Sequence, residues 1–181
     1  MAMAQMSAGD GSRPRSPYFD EEHEALRDQV RRFVETEIKP HALKWEEDGF
    51  VPREILRRMG ELGFFGIRYP AEYGGAEMDA VASTVFAEEL GRSTFGGAAD
   101  AMLVHADMAS SYVFHDGTKS QRARWMPGIV SGEVITAIAI TEPDAGSDVK
   151  AIRTRARRDG DSYVLDGTKL YITNGVYADL Y

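Results

Sequence analysis

The spacing of apolar residues changes near Gly132, and this change constrains the fold more than any other feature of the chain. Before it, apolar residues recur every three or four positions. After it they alternate or cluster in short β-branched stretches separated by Asp-Gly and Asn-Gly pairs. The first spacing buries one stripe of a helix and the second one face of a strand. Helices in one block and strands in the next predict an α+β fold, or two segregated units, rather than a doubly wound sheet.

The helical block carries its own punctuation. Asp20 is placed to cap a first turn rich in glutamate, and Leu26, Val30, Phe33, Val34 and Ile38 share a face. Pro40 marks a kink or a new start, and Gly49 a stop. Pro52 suits the first turn of the next helix, with Ile55, Leu56, Met59 and Leu62 as its stripe and Gly63 as its end. Further helices are expected over 78–90 and about 98–114. The Thr118-Lys-Ser-Gln121 capping box opens another, which must bend or end near Pro127. Strands are then expected over 134–140, 150–158, 163–165 and 169–173. The division is a tail over 1–17, expected to be disordered, a helical unit over 18–132, and a β unit over 133–181. The tail has no apolar core of the kind a secretory signal carries, and the end at Tyr181 reads as a cut in a continuing β pattern.

Composition removes several functions. With 21 Lys+Arg against 29 Asp+Glu the formal charge is −8, which argues against nucleic acid as the main partner. The absence of cysteine excludes disulfides, thiolate metal sites and cysteine nucleophiles, and fits a reducing compartment. The longest apolar runs fall far short of the ~20 residues of a membrane span. The expected location is the cytoplasm, or the mitochondrial matrix if the source is eukaryotic.

Few residues point to chemistry. The four histidines lack metal-ligand spacing, no metal site is expected, and core or surface roles suit them better. Gly60-x-x-Gly63-x-x-Gly66 lacks the setting of a phosphate loop and is better explained by helix termination. The arginines at 153, 155, 157 and 158 fit the solvated face of a strand. Residues 139–148, Ala-Ile-Thr-Glu-Pro-Asp-Ala-Gly-Ser-Asp, differ in kind. Thr141 offers a hydroxyl at a strand exit, Gly146 permits a positive φ, and Ser147 adds a donor without bulk. A surface turn and a phosphate-binding loop both fit that composition.

At this loop the chain resembles the acyl-CoA dehydrogenase family. Residues 139–148 are similar to that family's first signature, and Asp166-Gly-Thr-Lys-Leu-Tyr-Ile-Thr-Asn-Gly175 to its second flavin-contacting segment. Pro70-Ala-Glu-Tyr-Gly-Gly75, Glu88-Glu-Leu-Gly91 and the 117–132 stretch follow the pattern too, so the resemblance covers 18–181. It implies an N-terminal all-α domain, a middle β-barrel-like domain that begins here, and a C-terminal helical domain. The implied activity is FAD-dependent α,β-desaturation of an acyl-CoA thioester, with electron-transfer flavoprotein as acceptor, in a homotetramer.

Carried over residue by residue, Ile138, Ile140 and Thr141 match the strand meeting the flavin ring. Gly146 and Ser147 match the turn at the FAD pyrophosphate, and Ser147 also borders the substrate's pantetheine. Tyr171, Ile172 and Thr173 match the segment beneath the ring, with Thr173 near flavin N5; many relatives have Trp where Tyr171 stands. The family's catalytic base is a glutamate in the C-terminal domain, expected beyond Tyr181, and Glu142 does not match it. Asp144 replaces a common glycine, which puts the shape of the turn in question. The helix carrying Met102 to Met108 is expected to serve as core and as acyl-cavity wall. An acyl-CoA oxidase or flavin monooxygenase on the same scaffold, and a non-catalytic binding subunit, are the competing readings.

Overall fold

The structure is a computed structural model that describes residues 17–181, so the tail expected over 1–17 lies outside the described residues except for Pro17. Seven α-helices precede a single two-stranded sheet among these residues, the α+β order expected. The first helical run joins α1 (Glu21–Phe33) to α2 (Lys39–Asp48) through a π-helical turn at Val34–Ile38. Asp20 caps it, its carboxylate accepting from the N–H groups of Glu22 and His23 at 3.0 Å. Pro40 stands in the first turn of α2, where the expected new start falls, without interrupting the run. In the widened turn the Lys39 N–H reaches back to the Val34 carbonyl, and this opens the backbone where the proline ring would otherwise meet the carbonyl four residues earlier.

Helix α3 (Arg53–Glu61) follows Pro52, and α4 (Ala80–Gly91) begins after the cap Asp79, two residues later than expected. Between them a 3₁₀ turn spans Ala71–Tyr73. The next run joins α5 (Gly96–Leu103) and α6 (Ser110–Asp116) through a second π turn at Val104–Ala109. A π turn displaces carbonyls from their usual partners; here the Ala106 carbonyl accepts from Ser110 Oγ at 2.7 Å and from the Tyr69 hydroxyl at 3.3 Å. Helix α7 (Lys119–Val130) opens on the expected capping box and passes through Pro127 to end three residues later. A missing N–H so close to the C-terminus forfeits one hydrogen bond without breaking the helix.

Phe33, Phe64, Phe65, Phe86, Leu56 and Met102 lie in the core between these helices. Helices α1 and α4 are also cross-linked by charge. Fully buried Glu89 accepts from Arg27 at 3.0 Å and from Arg31 at 2.7 and 2.9 Å, so its charge is compensated on every side. The glycine triplet is structural. Gly63 has φ +80° just past α3, while a Cβ on Gly60 would lie 2.1 Å from the Ser131 carbonyl oxygen. Gly60 thus lets α3 approach the end of α7.

The β block departs most from expectation. Strands β1 (Arg155–Asp159) and β2 (Ser162–Asp166) pair antiparallel, Arg155 opposite Asp166, around a turn in which Gly160 has φ +62°. Residues 150 and 151, expected to open a strand, lie in a 3₁₀ turn over Val149–Ala151. Residues 134–140 are extended but contribute only one bridge, Thr136 to Leu180, and 169–173 form no strand. Alternation specifies which face of a strand is apolar, whereas a ladder requires a neighbour in register. Among the described residues 179–180 bond to 135–137, and the 169–173 segment meets this stretch by backbone only just past its end, where the Leu170 N–H donates to the Thr141 carbonyl. The arginines of β1 do lie on an exposed strand, as expected.

Candidate functional site

The first signature loop is built around Glu142. Its backbone closes a tight turn with Ala145, N–H to carbonyl at 2.8 Å and 3.2 Å in return, around Pro143 and Asp144. Asp144 has no positive φ, so the turn here does not need a glycine at that position. The Asp144 carboxylate instead meets Arg153 Nη1 at 2.9 Å. Nor does Gly146 use its permission: its φ lies outside the left-handed region, and a Cβ there would meet nothing within 4 Å.

The buried Glu142 carboxylate joins this loop to two other segments. It accepts from the Arg153 N–H at 2.7 Å, the Thr154 N–H at 3.0 Å and Lys169 Nζ at 2.9 Å. The neighbouring Thr154 hydroxyl, though outside hydrogen-bonding geometry, the Arg153 N–H and the Lys169 ammonium hold its carboxyl down to about 2. Lys169 Nζ also donates to the Ile140 carbonyl at 2.9 Å, and the Leu170 N–H to the Thr141 carbonyl at 2.9 Å. The two signature segments, 139–148 and 166–175, are therefore held side by side by charge and backbone together.

A second anchor is Asn174, buried with φ +62°, a conformation that asparagine tolerates better than most residues. Its amide donates to the Ala101 carbonyl at 2.9 Å and the Thr136 carbonyl at 3.2 Å, and accepts from the Tyr177 hydroxyl at 2.8 Å. Arg53 grips Asp179 with two contacts of 2.9 Å, and Asp179 accepts from the Ile135 N–H at 2.8 Å. Fully buried His105, in the second π turn, takes the Thr136 N–H on Nδ1 at 3.1 Å and donates from Nε2 to the Ile129 carbonyl at 3.1 Å. Burial lowers its pKa to about 4, so it is neutral at pH 7. It is a core histidine, as the sequence indicated.

Four of the eight expected site residues divide between two hollows, and Thr141, Gly146, Ser147 and Tyr171 line neither. Ile138 and Ile140 line an apolar one of about 730 Å³, with Trp125, Leu165 and Tyr181. Ile172 and Thr173 line another of about 330 Å³ between α2, α5 and residues 172–177, where Asp100 and Trp45 also face it. The two share no lining residue. Tyr171 is 93% exposed with φ +54°, a strained conformation for an aromatic residue and one that marks functional segments. The Thr141 and Ser147 hydroxyls make no hydrogen bond among the described residues, nor do the Gly146 and Ser147 N–H groups. In the Met102 to Met108 stretch, expected as core and acyl-cavity wall, Met102 and Val104 are buried in the core and Met108 is exposed.

Spacing alone did not reveal Asp100, Asn174 or the clamp role of Glu142. The Asn174-Gly175 turn signal was the only advance sign of any of them.

The chain matches the acyl-CoA dehydrogenase N-terminal domain family over residues 20–133 and the acyl-CoA dehydrogenase middle domain family over 137–181. It is 38% identical over 162 residues to the long-chain specific, mitochondrial acyl-CoA dehydrogenase of Mus musculus, covering 90% of this chain and 37% of that protein. The crystal structure of an acyl-CoA dehydrogenase from Geobacillus kaustophilus superposes with a TM-score of 0.85 at 41% identity, covering 91% of this chain and 43% of that one. The Bacillus anthracis acyl-CoA dehydrogenase complexed with FAD gives 0.83 at 34% identity, covering 89% and 28%. This chain therefore spans less than half the length of these relatives. By its two domain matches, the chain belongs to the acyl-CoA dehydrogenase family.

Proposed function

We propose that this chain is the part of an acyl-CoA dehydrogenase that holds FAD and the substrate's pantetheine, its residues 18–132 forming the helical domain and 133–181 the start of the middle β domain. The observation that carries the reading is the convergence of the two signature segments on Glu142 and Lys169. The residues fit the cofactor. Free N–H groups and a hydroxyl at Gly146 and Ser147 suit a pyrophosphate, the free Thr141 hydroxyl suits a polar ring edge, and the bare Tyr171 ring suits a planar partner.

When bound, the flavin supplies an acceptor for the hydride that leaves the substrate's β carbon. The chain's own contribution is positional. Thr141 and Ile140 would offer the ring a donor and an apolar wall, Ile172 and Tyr171 would offer a second, and Thr173 would bring a hydroxyl near N5. Fixed donors at an edge that gains negative charge stabilise it without reorganising. The α proton requires a separate base. Glu142 is unsuited to that role, since its carboxylate is ionised, committed to three donors and held near 2. The base in this reading is a glutamate from outside these 181 residues, in a tetramer that passes electrons to electron-transfer flavoprotein.

The test is to express the whole polypeptide and add acyl-CoA under anaerobic conditions. A yellow protein that bleaches on addition is expected, and a colourless one overturns the proposal. Rapid direct reoxidation by air would favour an oxidase on the same scaffold.

A further inference from the structure

The Thr173 hydroxyl donates to Asp100 Oδ2 across 2.6 Å, joining residues 73 positions apart in sequence and linking the second signature segment to α5. A threonine hydroxyl has one proton and two lone pairs. An ionised carboxylate at that distance is a stronger acceptor than any neutral group, so the proton is committed to Asp100. Toward a ligand in the 330 Å³ hollow that both residues line, Thr173 can then offer only a lone pair.

We propose that Asp100 is a positioning residue that orients the Thr173 hydroxyl so that it accepts, rather than donates, a hydrogen bond at the flavin. The inference rests on the reading above that Thr173 lies at flavin N5. That nitrogen is an acceptor in the oxidised ring. After two electrons and a proton have been added it carries an N–H. A hydroxyl whose proton is held by Asp100 matches the second state and not the first, so the pair favours the reduced cofactor. The same carboxylate charge opposes reduction. The orientation effect must therefore be read between variants that have both lost the charge.

Two substitutions separate these effects. Asp100→Asn removes the charge but keeps an oxygen that can hold the Thr173 proton. Asp100→Ala removes both, freeing the hydroxyl to turn and donate to the oxidised ring. Asp100 is solvent-exposed at the helix surface, so neither change unpacks the core; Asp100→Leu serves as a second acceptor-free variant.

The flavin midpoint potential of the whole enzyme is measured for each, with Thr173 present and in a Thr173→Ala background. The potential of Asp100→Ala is expected to lie below that of Asp100→Asn, and the difference to vanish without Thr173. Equal potentials with Thr173 present, or a difference that persists without it, overturn the proposal while leaving the assignment of the flavin site standing. A wild-type protein that binds no flavin overturns both.

Discussion

His105 makes acid stability a direct probe of how the signature segment is attached to the helices. Its folded pKa is about 4 against an ordinary 6.5, because burial disfavours the imidazolium. The Ile129 carbonyl and the more distant Asp179 offset this only in part. Below pH 6.5 the unfolded chain binds a proton that the folded chain refuses. Stability is therefore fully present above 6.5 and is lost as pH falls toward 4. For one site with these two values the loss by pH 5 is about 2 kcal/mol, rising to about 3 kcal/mol when titration is complete.

The comparison variant is His105→Gln, whose amide can accept from the Thr136 N–H and donate to the Ile129 carbonyl but does not titrate. It loses the edge contact with Phe65, whose centroid lies 4.4 Å away, and is expected to be the less stable protein at pH 7. Urea unfolding of both proteins, followed by tryptophan fluorescence at pH 7 and pH 5, should show the wild type's advantage shrinking by about 2 kcal/mol. His23, whose pKa is raised by its bond to Asp79, and the carboxylates titrate alike in both proteins and cancel in the difference. An advantage that stays constant between the two pH values would refute the buried neutral assignment.

Two further outcomes follow from the packing and the loop. Gly60→Ala and Gly91→Ala make the same change in two helices and should have opposite signs. At Gly60 the added carbon would sit 2.1 Å from the Ser131 carbonyl oxygen, and a loss of about 1–3 kcal/mol is expected. At Gly91 it meets nothing within 4 Å, and thermal unfolding should show a gain of about 0.4–1 kcal/mol. Glu142→Gln replaces one acceptor oxygen with a donor facing N–H groups and removes the charge that Lys169 pairs with. Trypsin should then cut at Arg153 and Arg155 faster than in the wild type at pH 7, and unchanged cleavage would contradict the clamp. Because the Glu142 pKa is depressed, the wild-type clamp is fully present above the ordinary 4.5 and is lost only as pH falls toward 2.

What the sequence by itself determined is whatever depends on neighbours a few positions apart. The stripes of α1 and α3, the caps at Asp20 and Thr118 and the stop at Gly63 are set by residues that meet within one or two turns. The two signature segments were legible as residue strings in order, which carried the family and the candidate residues. Tertiary structure decided what depends on distant partners. Residues 134–140 have the composition of a strand but form only a bridge, because a ladder needs a neighbour that their own pattern does not specify. Pro40 and Pro127 are accommodated by a widened turn and by a helix end, matters of backbone hydrogen bonding that residue type alone leaves open. The neutrality of His105, the ionisation of Glu142 and the bond from Thr173 to Asp100 arise between residues far apart in sequence, brought together when burial makes unpaired polar groups costly. Local pattern chose the elements, and desolvation chose which polar groups had to find one another across them.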